Sequence, residues 1–465
     1  MARIKLRTTE EREAAGKALR DKCPRSLHGE KVFGQGQKRD GVALIKASNK
    51  DRLENLVPVR HGRMLQSAFA FFRGTAALQA YDLAGTPTSG IIVQACGDCH
   101  LANFGGFATP ERTQVFDIND FDETLPAPFE WDIKRLATSF VVAARWRGFA
   151  ADDAREAALE AVASYRTSMR KRSGSGVLEA WYSKITAADL MELTRDEPDA
   201  LERLENRIEK AQKQGHEQAF NKLTAPSKGL PRIVDQPPLI FHADKRELNE
   251  KIALAFFKNY RDTLAPERRM LFDRYQLVDT ALKVVGVGSV GTRCFITLLM
   301  AAPDDPLFLQ VKEARPSVLE PYVKGAKVKH NGERIVVGQR LMQSASDIFL
   351  GWSKGPKGTG MRDYYVRQLR DMKISPNIES MNENTLKIFA RACGMGLARA
   401  HDKAGDAAMI AGYLGSKDTF DEAVADYAVA YADQVERDFE TFGNAVRNGK
   451  LQSDLSPSEL TTTIR

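Results

Sequence analysis

An acid, a histidine and a carboxamide crowd one short stretch of the chain, Gly97-Asp98-Cys99-His100-Leu101-Ala102-Asn103-Phe104-Gly105. About twenty residues on comes an acidic run, Phe116-Asp117-Ile118-Asn119-Asp120-Phe121-Asp122-Glu123. A carboxylate followed five residues later by an amide, on a loop leaving a strand, can orient or deprotonate a hydroxyl while the amide oxygen holds Mg²⁺. The second run can bring another carboxylate to the same ion. Mg²⁺ takes one or two such oxygens and fills its remaining positions with phosphate oxygens and water. Acid-rich loops after strands also serve as Asx-turns and helix caps, so either run alone says little.

A second group lies far downstream. Val285-Gly286-Val287-Gly288-Ser289-Val290-Gly291-Thr292-Arg293 separates two β-type runs, and Phe308-Leu-Gln-Val-Lys312-Glu313 follows. Gly286, Gly288 and Gly291, with Ser289 between them, let the backbone approach phosphates closely because no Cβ intrudes. Lys312, about twenty residues later, can reach phosphate oxygens from the next strand. In a Walker loop the lysine directly follows the last glycine, so this is a different device. Read alone, it is equally a glycine-bearing hairpin with an exposed lysine. Together the two groups supply what ATP·Mg²⁺ chemistry needs: a glycine cover, a phosphate lysine, a catalytic Asp98, and Asn103 with Asp120 or Asp117 on the metal.

Periodicity supplies the elements that must position these residues. A helix is expected around Thr9–Lys22 and another over Ser67–Ala84, ending at the Gly85-Thr86-Pro87 breaker. Ile91–Cys96 and Gln114–Ile118 read as strands flanking the first polar loop. From Asp132 to about Leu277 the pattern is helical, with Ala151–Arg172, Ala187–Gln214 and Lys245–Tyr260 amphipathic. The period then shortens: Leu282–Val287, Arg293–Met300 and Leu307–Val311 are β-type, and Tyr364–Leu369 is strand-like. Glu333–Ala345, Leu386–Asp402 and Phe420–Val446 return to helix.

With 465 residues the chain is too long for one ordinary core. It is 43% hydrophobic and 28% charged, with mean hydropathy −0.37, and no apolar run approaches a membrane span. The charged amino terminus lacks the apolar stretch of a secretory signal, so a cytoplasmic location is expected. A formal charge of +7 suits a phosphate-bearing partner, but it is spread too thinly to argue for nucleic acid. Five cysteines are too few for a disulfide scaffold. Cys96-Gly-Asp-Cys99-His100 matches the C-x-x-C-H pattern of haem attachment, yet such proteins are exported before attachment. Arg60, Arg63 and Arg73 form a basic cluster that could bind an acidic substrate but reads first as helix-surface ion-pairing groups, and Lys354–Gly360 reads as a flexible loop. His242, His330 and His401 are isolated and read as structural.

Several long motifs carry a resemblance. RHGRMLQSAFAFFRGTAALQAYDLA, GDCHLANFGGF, VFDINDFDETLPAPFEWDIKRLA, KVVGVGSVGTR, LFLQVKEA, GQRLMQSASDIFLGW and YYVRQLRDMK are similar to the bacterial domain-of-unknown-function family 2252 across nearly the whole chain. That family is grouped by similarity with kinase-like folds of the aminoglycoside and choline phosphotransferase type. The resemblance implies a catalytic role for Asp98, metal binding by Asn103 and by Asp120 or Asp117, and a helix-starting structural role for Asp132. It also implies nucleotide contacts from Gly286, Gly288, Ser289, Gly291 and Lys312. In ordinary kinases the glycine loop and lysine come first; here they follow by about 190 residues. The implied fold is therefore α+β, a kinase-like two-lobe fold in circularly permuted order, with a large helical lobe and a small antiparallel β-sheet lobe. Its segments are 1–60, an N-terminal helical extension; 61–277, the catalytic-loop and helical lobe; 278–375, the nucleotide-binding lobe; and 376–465, helices completing the first lobe. Glu320 and Glu333 are both candidates to pair with Lys312. The expected activity is ATP- and Mg²⁺-dependent phosphotransfer to a small molecule or protein. Transfer of AMP, or a non-catalytic nucleotide-binding scaffold, are the alternatives.

Overall fold

In the computed structural model, residues 6–30, 39–213, 216–227, 229–237, 239–242, 250–284, 286–325, 327–355, 361–369 and 372–454 are described. The architecture is α+β. One helix, Phe129–Trp146, buries every residue from Phe129 to Ala144, the charged Asp132 and Arg135 included. A helix covered all round is a core element, and its polar groups must find partners inside. The helices Ala151–Arg172, Glu383–Lys403 and Thr419–Arg447 pack around it and around one another. The two strand-flanked polar segments join this same core through Leu101, Phe104, Phe116, Ile118 and Phe121.

The amino-terminal segment is part of the helical body rather than an extension. Thr8 and Glu11 form a capping box on the helix Thr9–Ala18, which crosses Ala407–Leu414 at glycines. A Cβ on Gly16 would lie 1.9 Å from the Met409 carbonyl oxygen, and one on Gly412 would lie 2.0 Å from that of Glu13. The expected Ser67–Ala84 helix is two helices, Ala68–Gly74 and Ala76–Leu83. Thr75 breaks it at φ −123°, with its hydroxyl donating to the Phe71 carbonyl while Arg60 takes that of Gly74. The region 187–214 is likewise split, into Ala187–Leu193 and Pro198–Gln212, with Pro198 opening the second helix. The expected Lys245–Tyr260 helix is Glu250–Arg261, with 243–249 outside the described residues.

The later strands form one antiparallel six-stranded sheet. Its order is Gly351–Lys354, Asp363–Gln368, Asp305–Ala314, Cys294–Ala302, Gln276–Lys283, Ile240–Phe241. The period of two sorts its faces. Leu307, Leu309 and Val311 pack with Phe256, Tyr260 and Phe272 under the helices Glu250–Arg261 and Pro266–Phe272. Phe308, Gln310 and Lys312 take the opposite face. The sheet unit thus starts near residue 240 rather than 278, because its edge strand and covering helices precede the main strands. The helix Asn331–Met342, inside the expected 278–375 unit, instead buries Ile335, Val336 and Met342 in the main core. Among the described residues no helix is long and apolar enough to cross a membrane.

Candidate functional site

Two short strand pairs aim the polar loops. Ile92–Ala95 pairs with Leu125–Pro128, and Phe104–Ala108 pairs with Gln114–Ile118. The loop carrying Asp98 joins the first strand of one pair to the first of the other, and the acidic loop joins the second strands. Both therefore emerge side by side, and the Asn119 N–H donates to the Asn103 carbonyl at 2.7 Å. Asp132, near the start of the core helix, accepts from the Cys96 and Gly97 N–H groups at 2.6 and 2.9 Å. His401 Nε2 lies 3.2 Å from the same carboxylate, and the Tyr165 hydroxyl lies 2.9 Å from His401 Nδ1, so this histidine is structural. Gly97 has φ +85°, and a Cβ there would stand 2.3 Å from the Glu123 carbonyl oxygen. Only glycine lets the two loops come this close.

One turn beyond Asp132, Arg135 holds Asp98. Its Nε and Nη2 both lie 2.6 Å from Asp98 Oδ1, and the guanidinium also donates to Gln79 Oε1 and the Phe72 carbonyl. Oδ2 is the oxygen left to face a substrate, with His100 Nε2 at 3.9 Å. Burial raises the Asp98 carboxyl above the usual range, opposed by Arg135. Burial and the neighbouring arginines hold His100 well below its ordinary value, so the ring is neutral at pH 7.

The acids do not all reach one place. Asp117 is fully buried within its strand, bonded to the Ile118 and Ser344 N–H groups and to Arg399 Nη2. It faces the core and is no candidate metal ligand. Asp120, beyond the strand end, lines the cleft with Asp98 and Asn103. Asn103 Nδ2 donates to the Asp98 carbonyl at 2.7 Å, so the group it can offer the cleft is its amide oxygen. Lys312 is 3% exposed. Its Nζ lies 2.7 Å from Asp122 Oδ2 and 3.9 Å from Asp120. Tyr365, opposite Lys312 in the sheet register, donates its hydroxyl to Asp122 Oδ1 at 2.6 Å. Asp122 is thus the carboxylate that Lys312 engages, rather than Glu320 or Glu333. The two acids raise the Lys312 pKa despite its burial, so the ammonium stays charged. Arg334, from the helix Asn331–Met342, donates to the Asp122 and Thr124 carbonyls and pins the acidic loop to the sheet.

The glycine segment completes the cleft, a space of about 350 Å³ whose walls include Asp98, Asn103, Asp120, Asp122, Gly288, Ser289 and Thr292. Gly286 and Gly291 have φ of +65° and +86° and shape the segment from its two sides; Val285 lies outside the described residues. Its carbonyls are tied down by arginines: Arg63 donates to Gly286 and Arg52 to Val290. Arg60 is 2% exposed and donates to Asn49 Oδ1 and the Gly74 carbonyl. Arg60 and Arg63 are buried rather than on the helix surface expected from sequence, and Arg73 lines the cleft. Cys96 and Cys99 are buried free thiols with pKa values raised by burial. Cys96 Sγ donates to the Asp120 carbonyl, a contact that braces the two loops against each other. Among the described residues no three His, Cys, Asp or Glu side chains converge as a metal ligand set.

A family model described as an uncharacterized protein conserved in bacteria (DUF2252) matches residues 52–445. The chain belongs to this family. The match includes both polar loops, the glycine segment and Lys312. No curated protein and no solved structure matches the chain.

Two site residues of this DUF2252 chain escaped the sequence reading. Arg135 had a usable signal, since it stands three residues after Asp132 and so shares its helix face. Asp122 had none that separates it from its acidic neighbours. Glu123, also on the cleft wall, accepts from the Val318 N–H at 2.7 Å, and burial pushes its carboxyl up to about 7. Its folded pKa lies above the unfolded value, so its contribution to stability is full below the unfolded value and is lost as pH rises through about 7. Glu123→Gln keeps the acceptor and removes the charge. It should stabilise the protein by about 1–3 kcal/mol at pH 8 and little at pH 4.5. Equal effects at both pH values in urea denaturation would contradict this assignment.

Proposed function

We propose that this DUF2252 chain is an ATP- and Mg²⁺-dependent phosphotransferase on a kinase-like plan, with its two halves in permuted order, acting on a hydroxyl-bearing acceptor. The observation that carries the reading is one cleft walled by Asp98, Asn103 and Asp120 together with Gly288 and Ser289 from a segment some 190 residues away. Lys312, itself outside the lining, stands 3.9 Å from the Asp120 carboxylate that is part of it.

The donor set suits the proposed cofactor. An amide oxygen and a carboxylate are hard ligands in the number Mg²⁺ takes when phosphate and water fill the other positions. Mg²⁺, when bound, neutralises charge on the phosphate oxygens. Lys312 adds a buried, permanently charged ammonium, held in place by Asp122. The glycine segment brings backbone close to the phosphates. Asp98 Oδ1 is fixed by Arg135, so Oδ2 orients the acceptor hydroxyl and takes its proton. The new O–P bond forms as the bond to the leaving diphosphate breaks.

The test is binding of a non-hydrolysable ATP analogue with Mg²⁺, measured by calorimetry on the full chain. Wild type should bind, and Lys312→Met should weaken binding by about 10- to 100-fold through loss of charge-assisted contacts. Asp120→Asn should lower the dependence on Mg²⁺. A wild-type chain that binds no nucleotide sinks the proposal, and transfer of label from α- rather than γ-labelled ATP replaces it with AMP transfer.

A further inference from the structure

Four arginines form the wall of the cleft that the proposed nucleotide chemistry leaves unused. Arg52, Arg60, Arg73 and Arg315 all line it. Three of them are held by neutral groups. Arg52 donates to the Ser48 and Val290 carbonyls, and Arg315 to the Ser48 and Lys50 carbonyls at 3.3 and 2.6 Å. Arg60 has an amide and a carbonyl. Arg73 Nε is buried without a partner among the described residues, its guanidinium 5.8 Å from the Phe69 ring centroid. Among the described residues, none of the four makes an ion pair.

Three acids of the cleft have cations of their own: Asp98 is matched by Arg135, Asp122 by Lys312, and Glu313 by Arg293 and Arg362, while Asp120 and Glu123 share the same lining. The crowding has an energetic cost: burial and the charge of Arg315 push Arg60 down to about 10, and Arg52 is lowered by burial, Arg60 and Arg315. Guanidiniums clustered on one cleft wall, none of them ion-paired among the described residues, suit an anion. Their planar donor forks match the paired oxygens of a phosphate or a carboxylate, and a dianionic phosphate answers more than one of them.

We infer that this wall binds a phosphate-bearing acceptor, separately from the nucleotide. Of the four, Arg73 is the one whose charge acts on Asp98, whereas Lys312 serves the Asp120–Asp122 side. The acceptor's hydroxyl then meets Asp98 while its phosphate rests on the arginines. The role as acceptor site rests on the phosphotransferase reading; the anion site itself does not.

The experiment uses inorganic phosphate as the probe, titrated into the full chain with and without a saturating non-hydrolysable ATP analogue and Mg²⁺. Phosphate should bind in both cases. Arg73→Gln removes no hydrogen bond of the fold and should weaken phosphate at least tenfold, with an unchanged melting temperature and unchanged analogue affinity. Arg315→Gln, whose shorter side chain also gives up contacts to the Ser48 and Lys50 carbonyls, should weaken phosphate as well, with its melting temperature read alongside. Absence of saturable phosphate binding overturns the inference. So does competition between phosphate and analogue with both weakened by Arg73→Gln, because the arginines would then hold the nucleotide's own phosphates. Phosphate binding by a chain that binds no nucleotide leaves the anion site standing and sinks the phosphotransferase reading instead.

Discussion

Asp98→Asn should abolish turnover of ATP by the purified chain, by about 10³-fold or more, while the ATP analogue still binds within a few-fold of wild type. The substitution is nearly isosteric. Asn Oδ1 can accept from the Arg135 guanidinium where Asp98 Oδ1 does now, at 2.6 Å. What disappears is the negative charge and proton-accepting capacity of Oδ2, which the proposed mechanism needs. Arg135 keeps Gln79 and the Phe72 carbonyl, so its buried charge is not stripped of partners. Asp98 is still 22% exposed at its side chain, and its burial already disfavours the ionised form, so the loss of stability should be modest. Full activity in Asp98→Asn would remove this residue from the chemistry. Equal loss of activity and of nucleotide binding would make it a structural residue of the cleft.

The largest effect on stability is expected at Arg399. Arg399→Ala should cost about 3–5 kcal/mol in chemical denaturation, because it strands a buried carboxylate. Asp117 and Arg399 are both completely buried, 2.7 Å apart, and Arg399 also donates to the Met342 carbonyl. The pair joins the acidic strand, the helix Glu383–Lys403 and the end of the helix Asn331–Met342, whose Arg334 pins the acidic loop. Asp117→Asn should destabilise because it leaves the buried Arg399 guanidinium without its counter-charge, with no change in the Mg²⁺ dependence of analogue binding in the protein that remains folded. A change in Mg²⁺ dependence without loss of stability would return Asp117 to the cleft and displace Asp120.

Asp117 and Asp120 also show where local reading ends. Both are acids three residues apart in one motif, and spacing alone leaves either on the metal. The strand Gln114–Ile118 decides: its last residues are buried on both faces, so Asp117 is swallowed while Asp120, past the end, reaches solvent. Likewise, the sequence placed Lys312 on a strand after a glycine segment. Which acid it meets depended on an antiparallel register that puts Tyr365 beside it and on the acidic loop of another part of the chain.

By itself the sequence determined the family, most of the element types, and the loop positions of Asp98, Asn103 and the glycine segment. These follow from periodicity, breakers and turn chemistry, which act over a few residues. Only the tertiary structure decided that Arg135 grips Asp98, that Asp122 rather than Glu320 or Glu333 answers Lys312, and that Arg52, Arg60 and Arg315 of the cleft are met by neutral oxygens instead of acids. Those outcomes depend on contacts between segments tens to hundreds of residues apart. A charged residue's neighbours across such distances are set by how whole faces pack, which no local pattern encodes.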